Sequence, residues 1–217
     1  MALTIPGTHR TLGATEKRRL ADALGDSPET ALPVHLLRKG EGQVHLLGDL
    51  PDFQAVVIED YDVGPELMAF GAEAFGLLQL LLGMQAWEAV NVPQAVAAPL
   101  AALLAQQGLP NHPVDDIYQV PQGPVVVTPN PDVRLLTPAD ADLLAATPDD
   151  IRDGFEDDLH AVLQEELVAA AIVAGRIVST ASTYGLQEKF VDVAISTLPD
   201  FRGRGYARSA ASLVAAG

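Results

Sequence analysis

The chain has 217 residues, 13 of them Lys or Arg and 29 Asp or Glu, and its formal net charge is −16. Apolar residues make up 48 % of the sequence, which is enough for a real core and excludes a disordered chain. The absence of cysteine excludes disulfides, zinc–thiolate sites and thiol nucleophiles. Because a strongly acidic chain repels a polyanion, we expect no nucleic-acid partner.

The sequence also predicts a cytoplasmic protein without a membrane partner. Residues 1–13 contain no apolar run of the signal-peptide kind. The most apolar stretch, residues 74–87, contains two glutamines and is shorter than the roughly 20 residues that span a bilayer. No metal is expected, because the five histidines lack metal-ligand spacing.

The first half of the chain is predicted to alternate helices and strands. Helices are expected where apolar residues recur with the helical period, and strands where they alternate or form short runs of β-branched residues. These patterns predict helices at residues 15–24, 31–38, 75–82 and 93–107. They predict strands at residues 43–47, 54–59, 86–90, 116–120 and 124–128.

The second half is predicted to be a separate unit built around an antiparallel sheet. Residues 121–131 are rich in Pro, Gly and Asn and form the expected junction, so we predict domains at 1–125 and 131–217. After a strand at 133–136, Thr137 is a suitable N-cap for a helix, and helical turns follow over 148–166. Three strands joined by short turns are expected at 167–173, 176–184 and 189–197, followed by a helix at 205–216. The predicted class is therefore α/β, with a mixed, mainly antiparallel sheet and flanking helices.

The most informative segment is residues 191–209, VDVAISTLPDFRGRGYARS. It has the pattern of a strand, a glycine-bearing loop and a helix start. The unpaired N–H groups of a first helical turn, together with the helix dipole, attract anions. Gly203 and Gly205 allow close approach to the backbone. The Rossmann fingerprint is excluded because Arg208 occupies its third glycine position, and the Gly-Lys-Ser/Thr of a P-loop is missing.

Arg202, Gly205 and Ala207 satisfy the pattern Arg/Gln-x-x-Gly-x-Gly/Ala after a strand. In this setting the segment resembles the acyl-CoA-binding motif of the GNAT superfamily of N-acetyltransferases, and the resemblance extends over about residues 133–217. It implies a GNAT-like fold and acetyl-CoA as co-substrate. It also implies transfer of the acetyl group to a primary amine, on a small molecule or a peptide, by direct attack on the thioester. No covalent enzyme intermediate is needed, which agrees with the missing cysteine.

The resemblance also assigns roles to individual residues. Backbone groups of Ile195 and Thr197 would pair with the pantetheine arm, and Arg202 opens the motif. Either Arg204 or Arg208 would meet the 3′-phosphate. The loop amides that would hold the pyrophosphate belong to Gly203, Arg204, Gly205, Tyr206, Ala207 and Arg208.

A general base is required because only a neutral amine attacks the thioester. In the family an acidic residue on this strand often serves, which makes Asp192 the first candidate and Glu188 the second, with His160 more remote. The usual catalytic acid of the family is a tyrosine in a further strand–helix unit, and this sequence contains no such unit. Tyr184 and Tyr206 are poor substitutes for it.

Two departures from the family pattern leave the function open between two hypotheses. The family continues with a strand that splays from the strand ending at Thr197, whereas this sequence ends at Gly217. We therefore expect a fragment of a longer protein, or self-association through an exposed sheet edge. The first half lacks the loop and is similar to the degenerate N-terminal units of glycine N-acyltransferase relatives. The chain is either an N-acetyltransferase or a catalytically inactive acyl-CoA-binding or protein-interaction module.

Overall fold

The computed structural model describes residues 12–60, 66–84, 86–118, 123–152, 155, 158–184 and 190–217. The chain divides into two compact units, with the main division at Tyr118. Within the described ranges no helix is long and apolar enough to cross a bilayer.

The first unit is a four-stranded sheet with helices on both faces. The strand order is β1-β2-β3-β4, antiparallel between the first three strands and parallel between the last two. Its elements are α1 (Ala14–Leu24), α2 (Ala31–Lys39), β1 (Gln43–Leu47), β2 (Ala55–Glu59), β3 (Glu66–Gly71), α3 (Ala74–Leu82), β4 (Ala89–Asn91) and α4 (Gln94–Gln106).

Strand β2 explains why this unit needs helices on both faces. Its residues from Ala55 to Ile58 are all fully buried, as expected for a continuous apolar run in the middle of a sheet. Ala55 and Val57 pack with α3 and α4, whereas Val56 and Ile58 pack with α1 and α2. The period-2 alternation of side chains thus divides one strand between two cores.

The second unit is a four-stranded antiparallel sheet in the order β5-β6-β7-β8. Helix α8 packs on one face through Ala210 and Val214, and the helices before the central strands cover the other face. Its elements are β5 (Val133–Leu135), α5 (Ala141–Ala145), α6 (Asp149–Arg152), α7 (Leu159–Glu165), β6 (Val168–Val173), β7 (Arg176–Tyr184), β8 (Asp192–Thr197) and α8 (Tyr206–Val214).

The structure confirms the predicted fold class and the three consecutive antiparallel strands β6, β7 and β8. These strands follow one another in the sequence, with a turn at Ala174-Gly175 between β6 and β7, so local pattern was sufficient to predict them. Both units contain a run in which helices precede three antiparallel strands and a further helix follows, but the first unit then adds β4 and α4, whereas the second begins with β5.

Three predictions about strands were wrong in detail. Residues 116–118 and 124–128 form no strand, and the amide of Thr128 donates to the hydroxyl oxygen of Ser212 at 2.9 Å instead. The strand expected at 86–90 begins at Ala89. Strand β3 was not predicted, because its Leu, Met and Ala residues favour helices in isolation. Only its place between β2 and β4 makes it a strand.

An ion pair stabilises the entry into the helical region of the second unit. The Arg134 guanidinium donates to both carboxylate oxygens of Asp140, at 2.9 and 2.6 Å. The Thr137 amide also donates to this carboxylate, at 2.8 Å. The hydrogen bonds from Arg134 hold the pKa of Asp140 well below its usual range, with Thr137 lowering it further and partial burial opposing both.

We expect Asp140→Asn to lower stability by about 1 kcal/mol at pH 7, the typical effect of losing a cap and a partly exposed ion pair. Because the pKa of Asp140 is lowered on folding, its contribution is complete above the unfolded value near 4 and is lost as pH falls further. Urea unfolding at pH 7 and pH 3 should show the difference from wild type shrinking at pH 3. Asp142→Asn, which removes an exposed carboxylate two residues away, is the control.

Candidate functional site

The connection between β8 and α8 is fixed at its base and exposed at its tip. Leu198 is buried, and its amide donates to the Val178 carbonyl at 3.0 Å. Pro199–Phe201 forms one turn of 3-10 helix, and the Phe201 ring packs against the core together with Tyr206. The residues between these two aromatic anchors are exposed. The sequence therefore holds the backbone of the tip in one place while leaving it open to solvent.

Two glycines shape this tip. Gly203 and Gly205 have φ values of 73° and 84°, a left-handed region that residues with a Cβ atom rarely adopt. Gly205 is the N-cap of α8. A Cβ atom added at either glycine would meet no heavy atom within 4 Å. The backbone conformation, rather than crowding within the chain, thus requires glycine here.

The tip presents a run of unpaired backbone donors. None of the amides of residues 203–208 has an acceptor in the described part of the chain, and the first paired one is Ser209, which donates to the Gly205 carbonyl. We call these six amides the amide segment. Since they include the first turn of α8, the positive end of the helix dipole adds to their attraction for an anion.

The register of β7 and β8 directs the backbone groups of Ile195 and Thr197 away from the sheet. The pair of Leu198 and Val178 is hydrogen-bonded across the two strands. In an antiparallel ladder the backbone N–H and C=O groups of successive residues point alternately towards and away from the neighbouring strand. Those of Leu198 point towards β7, so those of Thr197 and Ile195 point away from it. Among the described strands β8 pairs with β7 alone, which leaves this outer edge open.

A cleft of about 560 Å³ lies beside the end of β8. The last three residues of the strand line it, and one residue from α6 and one from the loop complete the lining. They are Asp150, Ile195, Ser196, Thr197 and Arg202. The cleft thus joins the outward strand edge to the start of the loop.

The three arginines of the motif have different roles in this structure. Arg202 donates its Nε to the Thr197 carbonyl at 3.1 Å. Arg204 donates to the Asp200 carbonyl at 2.9 Å and lies over the Phe201 ring at 5.1 Å. Arg208 is exposed on the first turn of α8, and its side chain has no partner in the described ranges. Of the three, Arg208 is therefore the arginine whose guanidinium is not already bound within the described ranges.

The predicted bases lie apart from the amide segment. Asp192 is exposed at the opposite end of β8, about 16 Å from Thr197 at the usual rise per residue, and its Oδ1 accepts the Val193 amide at 2.8 Å. His160 is exposed on α7, where its ring contacts the Gln164 side chain at 3.3 Å. Glu188 lies outside the described residues.

Two solved structures match nearly the whole chain. A GCN5-related N-acetyltransferase (GNAT) from Kribbella flavida is 15 % identical and matches over 95 % of this chain and 80 % of its own, with a TM-score of 0.51. An X-ray structure of a Drosophila protein is 14 % identical and matches over 97 % and 84 %, with a TM-score of 0.53. The chain has the GNAT fold.

At these identities the similarity establishes the fold alone. A GNAT-family structure from Novosphingobium aromaticivorans is 21 % identical, with a TM-score of 0.35, and the chain spans 43 % of its length. A scan against protein families finds no matching family, and a search of curated proteins finds no matching relative.

The described part of the first unit has no comparable anion site where its third strand meets a helix. Strand β3 and helix α3 stand in the same order as β8 and α8, but only Ala72 and Glu73 connect them. The connection is closely packed, because a Cβ atom on Gly71 would lie 2.8 Å from the Gln54 carbonyl oxygen. Glu73 is exposed at the N-cap and carries the same sign of charge as a phosphate. The start of α3 therefore disfavours anions.

Two residues near the second-unit site were not selected from sequence. Asp150 reaches the cleft from α6, and no motif links it to β8. Ser179 is fully buried on β7 and contacts the end of β8 through its hydroxyl. Strand β7 contains four Ser and Thr residues, so no signal in the sequence distinguishes Ser179 from its neighbours. Within the described ranges no three His, Asp or Glu side chains come together as metal ligands.

Proposed function

We propose that the chain is an acyl-CoA-dependent N-acyltransferase that transfers an acetyl group from acetyl-CoA to a primary amine. The observation that carries the proposal is the amide segment, placed at the end of a strand whose outer edge is open. An anion-binding helix start and an unpaired strand edge match the two chemically different halves of coenzyme A. The second unit would thus carry the site.

The amide segment suits the pyrophosphate of the cofactor. A pyrophosphate needs several donors converging on a small volume, and unpaired amides provide them without bulky side chains. Open space around Gly203 and Gly205 lets the phosphates reach the backbone. Arg208, with no partner of its own among the described residues, would meet the 3′-phosphate. Arg202 and Arg204 already bind carbonyls of the loop and its preceding strand.

The strand edge suits the pantetheine arm, whose two amide groups can pair like a short added strand. Ile195 would use its outward N–H and C=O, and Thr197 its N–H. The Ile195 side chain is 50 % exposed, so it can cover an apolar part of the arm. An outward N–H of this edge near the thioester would also stabilise the oxyanion that forms during attack.

The reaction would be a direct transfer. The amine nitrogen attacks the thioester carbonyl carbon, the C–N bond forms, and the C–S bond then breaks with coenzyme A leaving as the thiolate. Asp192 would accept the proton that the amine loses, either directly or through water. Asp192 shares a strand face with Ser196, the face opposite α8, so the acceptor would approach from that side.

Four further proposals concern the first unit, self-association, localisation and the acceptor. The first half of the chain is similar to the N-terminal units of glycine N-acyltransferase relatives. On this basis the first unit would be a degenerate acyltransferase-like unit that lacks the acyl-CoA loop, and the second unit would be the active one. Self-association through the outer edge of β8 stays a prediction, and action in the cytoplasm is proposed from the sequence alone. The acceptor would be a small-molecule or peptide amine.

Calorimetric titration with acetyl-CoA tests the proposal before any acceptor is known. We expect saturable one-to-one binding to the wild-type chain. A screen for thiol release with amino acids, polyamines and peptides as acceptors then tests transfer. Binding without transfer to any acceptor would favour the inactive acyl-CoA-binding module. Absence of binding would contradict both the transferase and the acyl-CoA-binding module, and would favour the protein-interaction module.

A further inference from the structure

We propose that Ser179 is a positioning residue, which holds Thr197 so that the outer edge of β8 is presented to the pantetheine arm. This inference rests on the proposed use of acyl-CoA. Ser179 lies one strand away from that edge and does not itself reach the ligand.

The hydroxyl of Ser179 binds the end of β8 at two points. Ser179 is the register partner of Thr197, and its side chain is fully buried. Its Oγ lies 2.9 Å from the Ser196 carbonyl oxygen and 2.8 Å from Thr197 Oγ1. A hydroxyl has one proton and a carbonyl can only accept, so Ser179 donates to Ser196 and accepts from Thr197. The Thr197 hydroxyl is therefore held against β7.

Thr197 is held from the other side as well. Its carbonyl points outward and accepts the Arg202 Nε at 3.1 Å. The side chain of Thr197 is thus hydrogen-bonded to β7, and its carbonyl is hydrogen-bonded to the loop. Of the outward groups, the Thr197 N–H and both groups of Ile195 stay available to a ligand. These two anchors determine which donors and acceptors the edge offers.

An anchor is needed here because β8 has a strand neighbour on only one side among the described strands. The last residue of such an edge strand is easily displaced, since few contacts oppose local opening. Alanine or valine would fill the buried position of Ser179 without providing a hydrogen bond. The serine hydroxyl instead ties the strand end at the point where the ligand-binding edge meets the loop.

The test compares two ligands on the Ser179→Ala variant. We expect its affinity for acetyl-CoA to fall about tenfold, the loss expected from one or two hydrogen bonds. Affinity for 3′,5′-ADP should stay at the wild-type value, because this ligand lacks pantetheine and would use the amide segment. Calorimetry measures both affinities, and thermal melting verifies that the variant is folded. Ser182→Ala, at a buried serine on the opposite face of β7, should change neither affinity.

Substitutions at Thr197 test the same contact from its other end. Thr197→Val, which keeps the shape and removes the hydroxyl, should weaken acetyl-CoA as Ser179→Ala does, whereas Thr197→Ser should bind like wild type. The double variant Ser179→Ala/Thr197→Val should bind no more weakly than Ser179→Ala, because Ser179→Ala already removes the contact that Thr197→Val removes.

The outcomes separate this inference from the proposed function. If wild type binds both ligands and Ser179→Ala binds acetyl-CoA equally well, the positioning role is overturned and the proposed cofactor stands. An equal loss of both ligands would show a general structural role and would also overturn it. Wild-type protein that binds neither ligand would overturn both proposals.

Discussion

Gly205→Val is expected to weaken acetyl-CoA binding by roughly 100-fold or more, equivalent to about 2.7 kcal/mol. Gly205 is the N-cap of α8, with a φ of 84° and open space where a side chain would project. A valine would occupy the space proposed for the pyrophosphate, and its branched side chain would pull the backbone from the left-handed region. Calorimetric titration of the folded variant measures the loss directly.

Gly175→Val is the matched control for this variant. Gly175 lies in the turn between β6 and β7, has a φ of 75°, and also has no atom within 4 Å of an added Cβ. Both substitutions should reduce stability by about 1–2 kcal/mol, the usual strain of a left-handed residue with a side chain. Only the Gly205 variant should lose affinity. Equal affinity in the Gly205 variant and wild type would refute the assignment of the amide segment.

Asp192→Asn is expected to lower turnover by roughly 10²–10⁴-fold, the usual contribution of a general base. Acetyl-CoA affinity should stay nearly unchanged, because Asp192 is at the far end of β8 from the amide segment. Thiol release with an acceptor identified by the amine screen measures turnover, and calorimetry measures affinity. Asparagine keeps the oxygen that accepts the Val193 amide, so the local strand structure should be preserved.

Asp142→Asn serves as the control for a general change of charge in the same unit. Its exposed carboxylate lies on α5, and the substitution should leave turnover unchanged. A fully active Asp192 variant would transfer the role to Glu188 or to a water chain. A parallel loss of affinity would instead indicate that Asp192 supports the ligand-binding edge.

Local sequence pattern was a sound guide where partners are close in the chain. Strands β6, β7 and β8 follow one another across short connections, so their own composition and turns predicted their pairing. The conformation of the loop tip could likewise be predicted from the local sequence. Gly203 and Gly205 are needed for left-handed backbone, and a helix start leaves its first amides unpaired wherever it occurs.

Long-range pairing had no comparable signal. The β-branched run at 124–128 has the composition of a strand, yet it pairs with none of the described strands, and its Thr128 amide is bound to α8 instead. Strand β3 has helix-forming residues and is a strand because β2 and β4 flank it. In both cases the outcome depends on hydrogen bonds to distant segments, which intrinsic propensity does not encode.

The sequence by itself determined the class of the fold, the meander of the second unit and the position of the amide segment, because these depend on backbone preferences within a few residues. Tertiary structure alone decided that Ile195 and Thr197 face outward, that Arg202 turns back onto Thr197, and that Ser179 reaches across from β7. Each of these follows from strand register. If β8 shifted by one residue against β7, every side chain of β8 would move to the opposite face of the sheet and every backbone group to the opposite edge of the strand. Only packing of the whole sheet selects the register.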